Sequence, residues 1–246
     1  MTTYSFQGFS EKINSAQSEA ELKVVCEQFC EAANFEYYIY AVCSVTSLSA
    51  PQIHCLSNYP ESWFNRYFSD ELQKHDPVVK YCFDNISPIC WDQLMTMEKY
   101  IDPIGVELMQ SAAEFGLVNG MSIPIKSPSS EVAIFSLATK NSEGVQQRLL
   151  DVLPHAQMFS LQLFEVYSRI NQEVRAANAY KLTSRELECL FWACEGKTTW
   201  EISKIVDVTE RTIVFHLSSA TKKLGAVNRQ HAVAKAIISG LVKPTP

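Results

Sequence analysis

The sequence predicts an α+β chain in two parts: an antiparallel sheet with helices packed on its faces, then an all-α segment of four helices containing a helix-turn-helix. Three observations predict it. Five short runs rich in β-branched and aromatic residues are joined, in places, by hairpin-length connections, which favour antiparallel pairing. Helical periodicity recurs before, between and after those runs. Residues 181–246 carry helix signals alone, and their charge balance differs from that of the rest.

The elements follow in order. SEAELKVVCEQFCEAA (18–33) places Leu22, Val25, Phe29 and Ala32 at helical spacing. YYIYAVCSV (37–45) reads as a strand, and QIHCLS (52–57), after the loop with Pro51, as its partner. Helices are expected at 60–69 and 77–85, and a short strand at PICW (88–91). Asp102 as N-cap, Pro103 at the first helical position and Gly116 as a stop frame another helix. GMSIPIK (120–126) and EVAIFSLAT (131–139) read as a hairpin across SPSS. A long helix over 143–172 carries Leu149, Leu153, Phe159, Leu163, Val166 and Ile170. EVRAANAYK (173–181) is polar and sits where the charge balance changes, so it is expected to link domains at 1–172 and 182–246.

In the C-terminal part, TSRE (183–186) is a capping box, with Thr183 at N-cap and Glu186 at N3. That helix runs through Leu187, Leu190, Phe191 and Cys194 to Gly196. A short helix at 199–206, the turn DVT, and a helix over 210–224 capped by Thr209 follow, then a fourth at 229–239. Two short helices joined by three residues have helix-turn-helix geometry. In 210–224, Ile213, Leu217, Ala220 and Leu224 form the expected buried stripe, with Arg211, Val214, Ser218, Thr221 and Lys222 opposite. Such a face could enter a major groove. An ordinary four-helix bundle with a solvated face shows the same pattern, and periodicity leaves both readings open.

Composition sets bounds. With 47% hydrophobic and 20% charged residues the chain reads as globular, long enough for two cores. The net charge of −6 hides an asymmetry: residues 181–246 hold ten Lys/Arg against six Asp/Glu, and residues 1–180 eleven against twenty-one. The basic part could meet nucleic acid. No apolar run approaches the roughly 20 residues of a membrane span, and MTTYSFQGFSEK lacks the pattern of a signal peptide, so the expected location is the cytosol, with no membrane partner. The eight cysteines form no CxxC and read as small buried hydrophobes; none of the five histidines reads as a metal ligand.

One stretch asks for more than core packing. In NYPESWFNRYFSDELQKHDPVV (58–79), Tyr59, Trp63 and Tyr67 are spaced i, i+4, i+8, so a helix beginning near Pro60 would stack the three rings on one face. Their N–H and O–H groups need partners if buried. Core packing alone would account for such a stripe.

Two resemblances decide between these alternatives. LTSRELECLFWACEGKTTWEISKIVDVTERTIVFHLSSATKKLGAVNRQHAVAKAI resembles the DNA-binding domain of LuxR-type transcription factors, through Glu186, Leu190, Gly196-Lys197-Thr198, Glu201-Ile202, Thr212, Phe215-His216 and Lys223-Leu224. The N-terminal part resembles the acyl-homoserine-lactone-binding domain of quorum-sensing LuxR-type receptors, through Tyr59-Pro60, Trp63, Tyr67, Asp76-Pro77, Trp91, Gly120 and Ser136 in order. The resemblance implies an N-terminal α/β/α sandwich and a homodimeric transcription factor, with no cofactor and N-acyl-homoserine lactone as ligand. It further implies double-stranded DNA bearing an inverted repeat and RNA polymerase as partners.

The resemblance also implies roles. Trp63 N–H would donate to the lactone carbonyl, Asp76 would accept from the amide N–H, and Tyr59 with Ser136 would donate to the amide carbonyl. Tyr67 and Trp91 would wall the site. Ile39, Ala41, Cys43, Val78, Val79, Leu108, Ala112, Leu117 and Ser122 match positions around the tail or ring, and Gly120 a backbone requirement. Arg211, Thr212, Val214, Ser218, Thr221, Lys222 and Lys223 would face DNA. Two positions depart from the pattern. Phe64 stands where some relatives have a basic residue, which leans toward acyl chains unsubstituted at the third carbon. Val214 stands where many have Asn; valine can touch a thymine methyl but cannot hydrogen-bond a base edge.

Rival readings are a LuxR-type regulator answering another small molecule or none, an enzyme acting on acyl lactones, and a phosphorelay response regulator. The sequence contains neither G-x-S-x-G nor H-E-x-x-H, places no histidine near Ser136 and Asp76, and shows no acidic cluster ending an early strand.

Overall fold

The computed structural model describes residues 6–44, 51–127, 131–171 and 180–243. They divide into two compact units, the first made mainly of residues up to 171 and the second mainly of the C-terminal segment.

The first unit opens with α1 (Phe6–Ser15) and α2 (Glu19–Ala32), the latter capped by Ser18. Strands β1 (Tyr37–Ser44) and β2 (Gln52–Ser57) precede α3 (Glu61–Ser69), a 3₁₀ turn at Leu72–Lys74 and α4 (Pro77–Asp84). Then come β3 (Ile89–Cys90), α5 (Trp91–Leu94), α6 (Pro103–Glu114), β4 (Asn119–Lys126), β5 (Val132–Thr139) and α7 (Val145–Ile170). The strands form one five-stranded sheet in the order β2-β1-β5-β4-β3, antiparallel as expected.

Strand periodicity sends alternate residues to opposite faces, and each face has its own core. Tyr38, Tyr40, Met121, Ile123, Phe135 and Leu137 pack with Leu22, Phe29, Phe159 and Leu163 from α2 and α7. Phe29 and Phe159 stack at 4.0 Å between ring centroids. The other face meets α3 to α6 through Trp63, Val78, Tyr81, Trp91, Leu108 and Ala112, giving the α/β/α layering.

Two local expectations change, and one helix had not been read. Helix α1 had no strong sequence signal because Gly8 lies in it and its apolar residues are few; it is held by packing, with Phe9 meeting Phe29 and Phe159 edge-on at 5.2 and 6.2 Å. The strand expected at 88–91 ends at Cys90, and Trp91 opens a helical turn. Tyr59 precedes α3, whose N-cap is Pro60, so it does not share that helix's face; its ring meets Tyr37 at 6.3 Å. The tip of the hairpin at 128–130 and most of the expected linker, 173–179, lie outside the described residues.

The second unit contains α8 (Ser184–Cys194), α9 (Thr199–Val206), α10 (Glu210–Lys223) and α11 (Arg229–Ile238). The capping box of Thr183 with Glu186 is formed, and so is a second one, Thr198 with Glu201. Asp207 closes α9 in the left-handed region at φ 54°, which a short polar side chain tolerates, and the chain turns directly into α10. Ile213, Leu217, Ala220 and Leu224 are buried with Cys189, Leu190, Ile202, Ala232 and Ala236. No helix among the described residues is long and apolar enough to cross a membrane.

Candidate functional site

The second sheet face carries a buried pair of serine hydroxyls. Cross-strand register aligns Ile39 with Ser136 and Ser136 with Ser122, so both hydroxyls sit on one row over the α3–α6 core. Ser122 is 0% and Ser136 3% exposed. Their oxygens lie 2.8 Å apart, and the Trp91 indole N–H donates to Ser122 Oγ at 2.9 Å. Gly120 makes that approach possible: a Cβ there would stand 2.5 Å from the Leu137 carbonyl oxygen and 2.9 Å from the Trp91 indole.

Opposite the sheet, Asp76 caps α4, accepting from the Val78 amide at 2.7 Å and, on its other oxygen, from the Tyr67 hydroxyl at 2.6 Å. Burial pushes the Asp76 carboxyl above its ordinary value, and those neutral donors only partly offset it. Burial likewise raises the Tyr59 and Tyr67 phenols, with the Asp76 charge adding to the effect. Trp63, 2% exposed, lies between Tyr67 at 6.0 Å and Phe115 at 5.3 Å. Among the described residues neither the Trp63 indole N–H nor the Tyr59 hydroxyl makes a hydrogen bond. Both atoms keep some accessible surface, so each is free to donate to an acceptor brought in from outside the chain.

The structure brings Tyr59, Trp63, Tyr67, Val78, Val79, Trp91, Leu108, Ala112 and Leu117 into this core. Ile39, half-buried, and Ser122 and Ser136, buried, lie on the sheet row facing it. Ala41 and Cys43 continue along β1 at the same alternation. Phe64 is set apart: it packs on Phe68, one turn along α3, at 4.8 Å. Tyr37 and Phe115 also belong to this core and were not singled out from sequence. For Tyr37 the signal was there, since it sits two residues before Ile39 on the same strand face. Phe115, just past a helix end, gave none.

In the second unit Arg211, Val214, Ser218 and Lys222 are exposed along α10, with Thr212 and Thr221 half-buried. Val214, Ser218, Thr221 and Lys222 line a groove of ≈ 530 Å³ together with Thr199, Asn228 and Arg229, which sequence reasoning did not pick out. Lys223 is placed differently from Lys222. Its ammonium is 2.7 Å from Glu186, which also accepts from Ser219 at 2.6 Å and from the Thr183 amide at 2.6 Å. Burial pushes the Glu186 carboxyl up, but Lys223, Ser219 and Thr183 outweigh it and hold it at about 2. Among the described residues no group of three His, Cys, Asp or Glu side chains is arranged to hold a metal.

The chain matches two family models: the autoinducer binding domain over residues 18–167, and the bacterial regulatory proteins of the luxR family over residues 180–236. It belongs to the LuxR family of transcriptional regulators. It is 32% identical to the transcriptional activator protein LuxR of Aliivibrio fischeri over 94% of this chain and 92% of that one. To the HTH-type quorum sensing-dependent transcriptional regulator RpaR of Rhodopseudomonas palustris it is 34% identical, over 88% and 86%. The fold is shared with SdiA of Escherichia coli, at a TM-score of 0.80 and 22% identity over 97% and 98% of the two chains. A structure of SdiA in complex with octanoyl-rac-glycerol superposes with a TM-score of 0.79 at 23% identity, covering all of both chains. Members of the LuxR family are regulators and not enzymes, which sets aside the lactone-processing rival. An autoinducer-binding domain followed by a helix-turn-helix domain makes this chain a ligand-responsive transcription regulator.

Proposed function

We propose that this LuxR-type regulator binds an N-acyl-homoserine lactone in the core between the sheet and α3–α6, and promoter DNA through α10, as a cytosolic homodimer. The observation that carries the ligand reading is the polar set itself: two uncommitted donors, Trp63 and Tyr59, a carboxylate held only by neutral donors, Asp76, and the Ser122–Ser136 pair, all bordering one apolar core. An acyl-homoserine lactone needs this complement. Trp63 donates to the lactone carbonyl, Asp76 accepts the amide N–H, and Tyr59 and Ser136 donate to the amide carbonyl. Tyr67 is engaged with Asp76 and serves, like Trp91, as a wall. The apolar groups Ile39, Ala41, Val78, Val79, Leu108, Ala112 and Leu117 surround ring and tail. Phe64 brings no hydrogen bond to this region, in keeping with an acyl chain unsubstituted at its third carbon.

For DNA, the exposed Arg211, Val214, Ser218 and Lys222 on α10, above a buried stripe, form the reading face. Helix α7 leaves Leu150, Met158 and Leu161 exposed, which supports its role in a two-fold dimer that reads an inverted repeat and recruits RNA polymerase. The working boundaries are a ligand-binding domain at 1–172, a linker at 173–181 and a DNA-binding domain at 182–246.

The deciding experiment is mass spectrometry of organic extracts from protein expressed with a series of lactones and with octanoyl-rac-glycerol, followed by calorimetry. Asp76→Asn and Trp63→Phe should each lower lactone affinity on the order of 10- to 100-fold. Retained affinity in both variants, or capture of the acylglycerol in preference to every lactone, would sink the lactone reading.

A further inference from the structure

The buried trio Trp91, Ser122 and Ser136 has a fixed hydrogen-bond polarity. An indole nitrogen can only donate, so the Trp91 N–H consumes a lone pair of Ser122 Oγ. The two serines then hold two hydroxyl protons between them and make one hydrogen bond to each other. Among the described residues neither serine has another hydrogen-bond partner. One O–H proton is therefore left without a protein acceptor, in a core where such a group is costly. Accepting from Trp91 strengthens the outgoing bond from Ser122. The favoured order is thus Trp91 N–H to Ser122, Ser122 O–H to Ser136, with the last proton on Ser136, the more accessible of the two.

We propose that Trp91 sets the polarity of the Ser122–Ser136 pair so that it offers one O–H donor, and that Ser122 is a positioning residue acting through Ser136 on a ligand carbonyl. The proposal rests on the ligand reading above and refines it: this end of the site takes an acceptor such as an acyl carbonyl and disfavours a donor. Ser122 was expected beside the tail or ring; in this proposal it acts by fixing the rotor of its neighbour. Gly120 is part of the device, since any side chain there would displace the indole.

The test uses the full chain with N-octanoyl-homoserine lactone and its thioamide analogue, whose sulfur is a poor acceptor while the N–H and shape are kept. Calorimetry compares wild type, Ser136→Ala, Ser122→Ala, the double variant and Ser122→Thr. For the amide ligand each alanine variant should lose about five- to tenfold in affinity. The double variant should be no worse than the weaker single, and Ser122→Thr should recover to within about twofold, because threonine restores the hydroxyl. With the thioamide the Ser122→Ala loss should shrink to within about twofold. Additive losses in the double variant, or an equal Ser122→Ala loss for both ligands, would overturn the relay while leaving the lactone site standing. Wild type that bound neither compound nor any lactone of other chain length would overturn both. Melting curves without ligand, with Ser122→Thr as the folded control, separate misfolding from lost recognition.

Discussion

Asp76 and Glu186 are both helix-capping carboxylates, one in each compact unit, and they are held in opposite ways. Glu186, 3% exposed, accepts from a lysine, a serine and the backbone of its own capping box, and its carboxyl is held at about 2. Asp76 is half-buried, accepts from a phenol and a backbone amide, and is raised. The first network is complete: a cation lies against the carboxylate, and the charge is stabilised within the chain. The second brings no cation into contact, so the ionised form still gains from another donor. A saturated buried carboxylate fixes structure; an incompletely satisfied one is where a ligand N–H can add free energy. This difference separates a fold-holding acid from a candidate binding acid.

Changing each carboxylate to its amide tests the contrast most strongly. Glu186→Gln keeps the capping-box geometry but removes charge-assisted bonds, and should destabilise the C-terminal unit by about 2–3 kcal/mol. Asp76→Asn should cost under about 1 kcal/mol in unliganded protein, because Asn caps helices as well as Asp does. Urea unfolding of both variants measures this. Equal losses would erase the distinction between the two sites.

Next in size is Gly120→Ala. The added Cβ meets both backbone and an indole ring that is itself buried, so overpacking of about 1–3 kcal/mol is expected. The change should also move the Trp91 fluorescence, and ligand affinity should fall with it. An alanine variant with wild-type melting and emission would mean that the indole does not lie where the Ser122 contact requires.

pH should resolve the two acids by sign. The folded value of Glu186, about 2, is below its ordinary 4.5. Its stabilisation is therefore full above pH 4.5 and is lost as pH falls toward 2. Asp76 is raised above 3.8, so the folded chain binds its proton more tightly than the unfolded one does. Its contribution favours folding at low pH and declines as pH rises through the raised value. Lactone binding, by donating to the carboxylate, should take up the ionised form, release protons in that window and strengthen as pH rises. Calorimetry in buffers of different ionisation enthalpy would detect the release; proton uptake would place the donor elsewhere.

Much of this was legible in the residues, and what was missed has physical causes. Local chemistry announces caps, and Asp102, Thr183 and Thr209 all cap where their side chains imply, while the Thr198–Glu201 box had not been read. Runs of β-branched and aromatic residues marked the strands, while Ser136 was picked out only through resemblance. Long-range packing is silent in a local pattern, so α1, whose stability comes from Phe9 against α7, went unseen. The residues of the candidate site could be named in order through resemblance, but their bonding could not. Nothing in the spacing of Trp91, Ser122 and Ser136, which come from three elements, says that they share one proton relay. Nor does adjacency in sequence distinguish Lys222 from Lys223.

That last pair gives the smallest and most discriminating effect. Lys222 is exposed on α10 and Lys223, its side chain 35% exposed, is bound to Glu186. A lysine that neutralises a phosphate releases counterions, so removing it lowers the slope of log K against log salt by about one. Lys222→Ala should do so on operator and random DNA alike. Lys223→Ala should leave the slope nearly unchanged, because that ammonium is already neutralised inside the protein. Glu186→Gln supplies the converse: it frees Lys223 without removing it, and the slope should steepen by up to about one in whatever fraction of the protein stays folded. Fluorescence anisotropy across a salt series, on one inverted repeat and one scrambled duplex, measures all three. If Lys223→Ala and Lys222→Ala changed the slope equally, Lys223 would be leaving Glu186 to meet phosphate. The C-terminal carboxylate would then be as open to an outside partner as Asp76 is proposed to be.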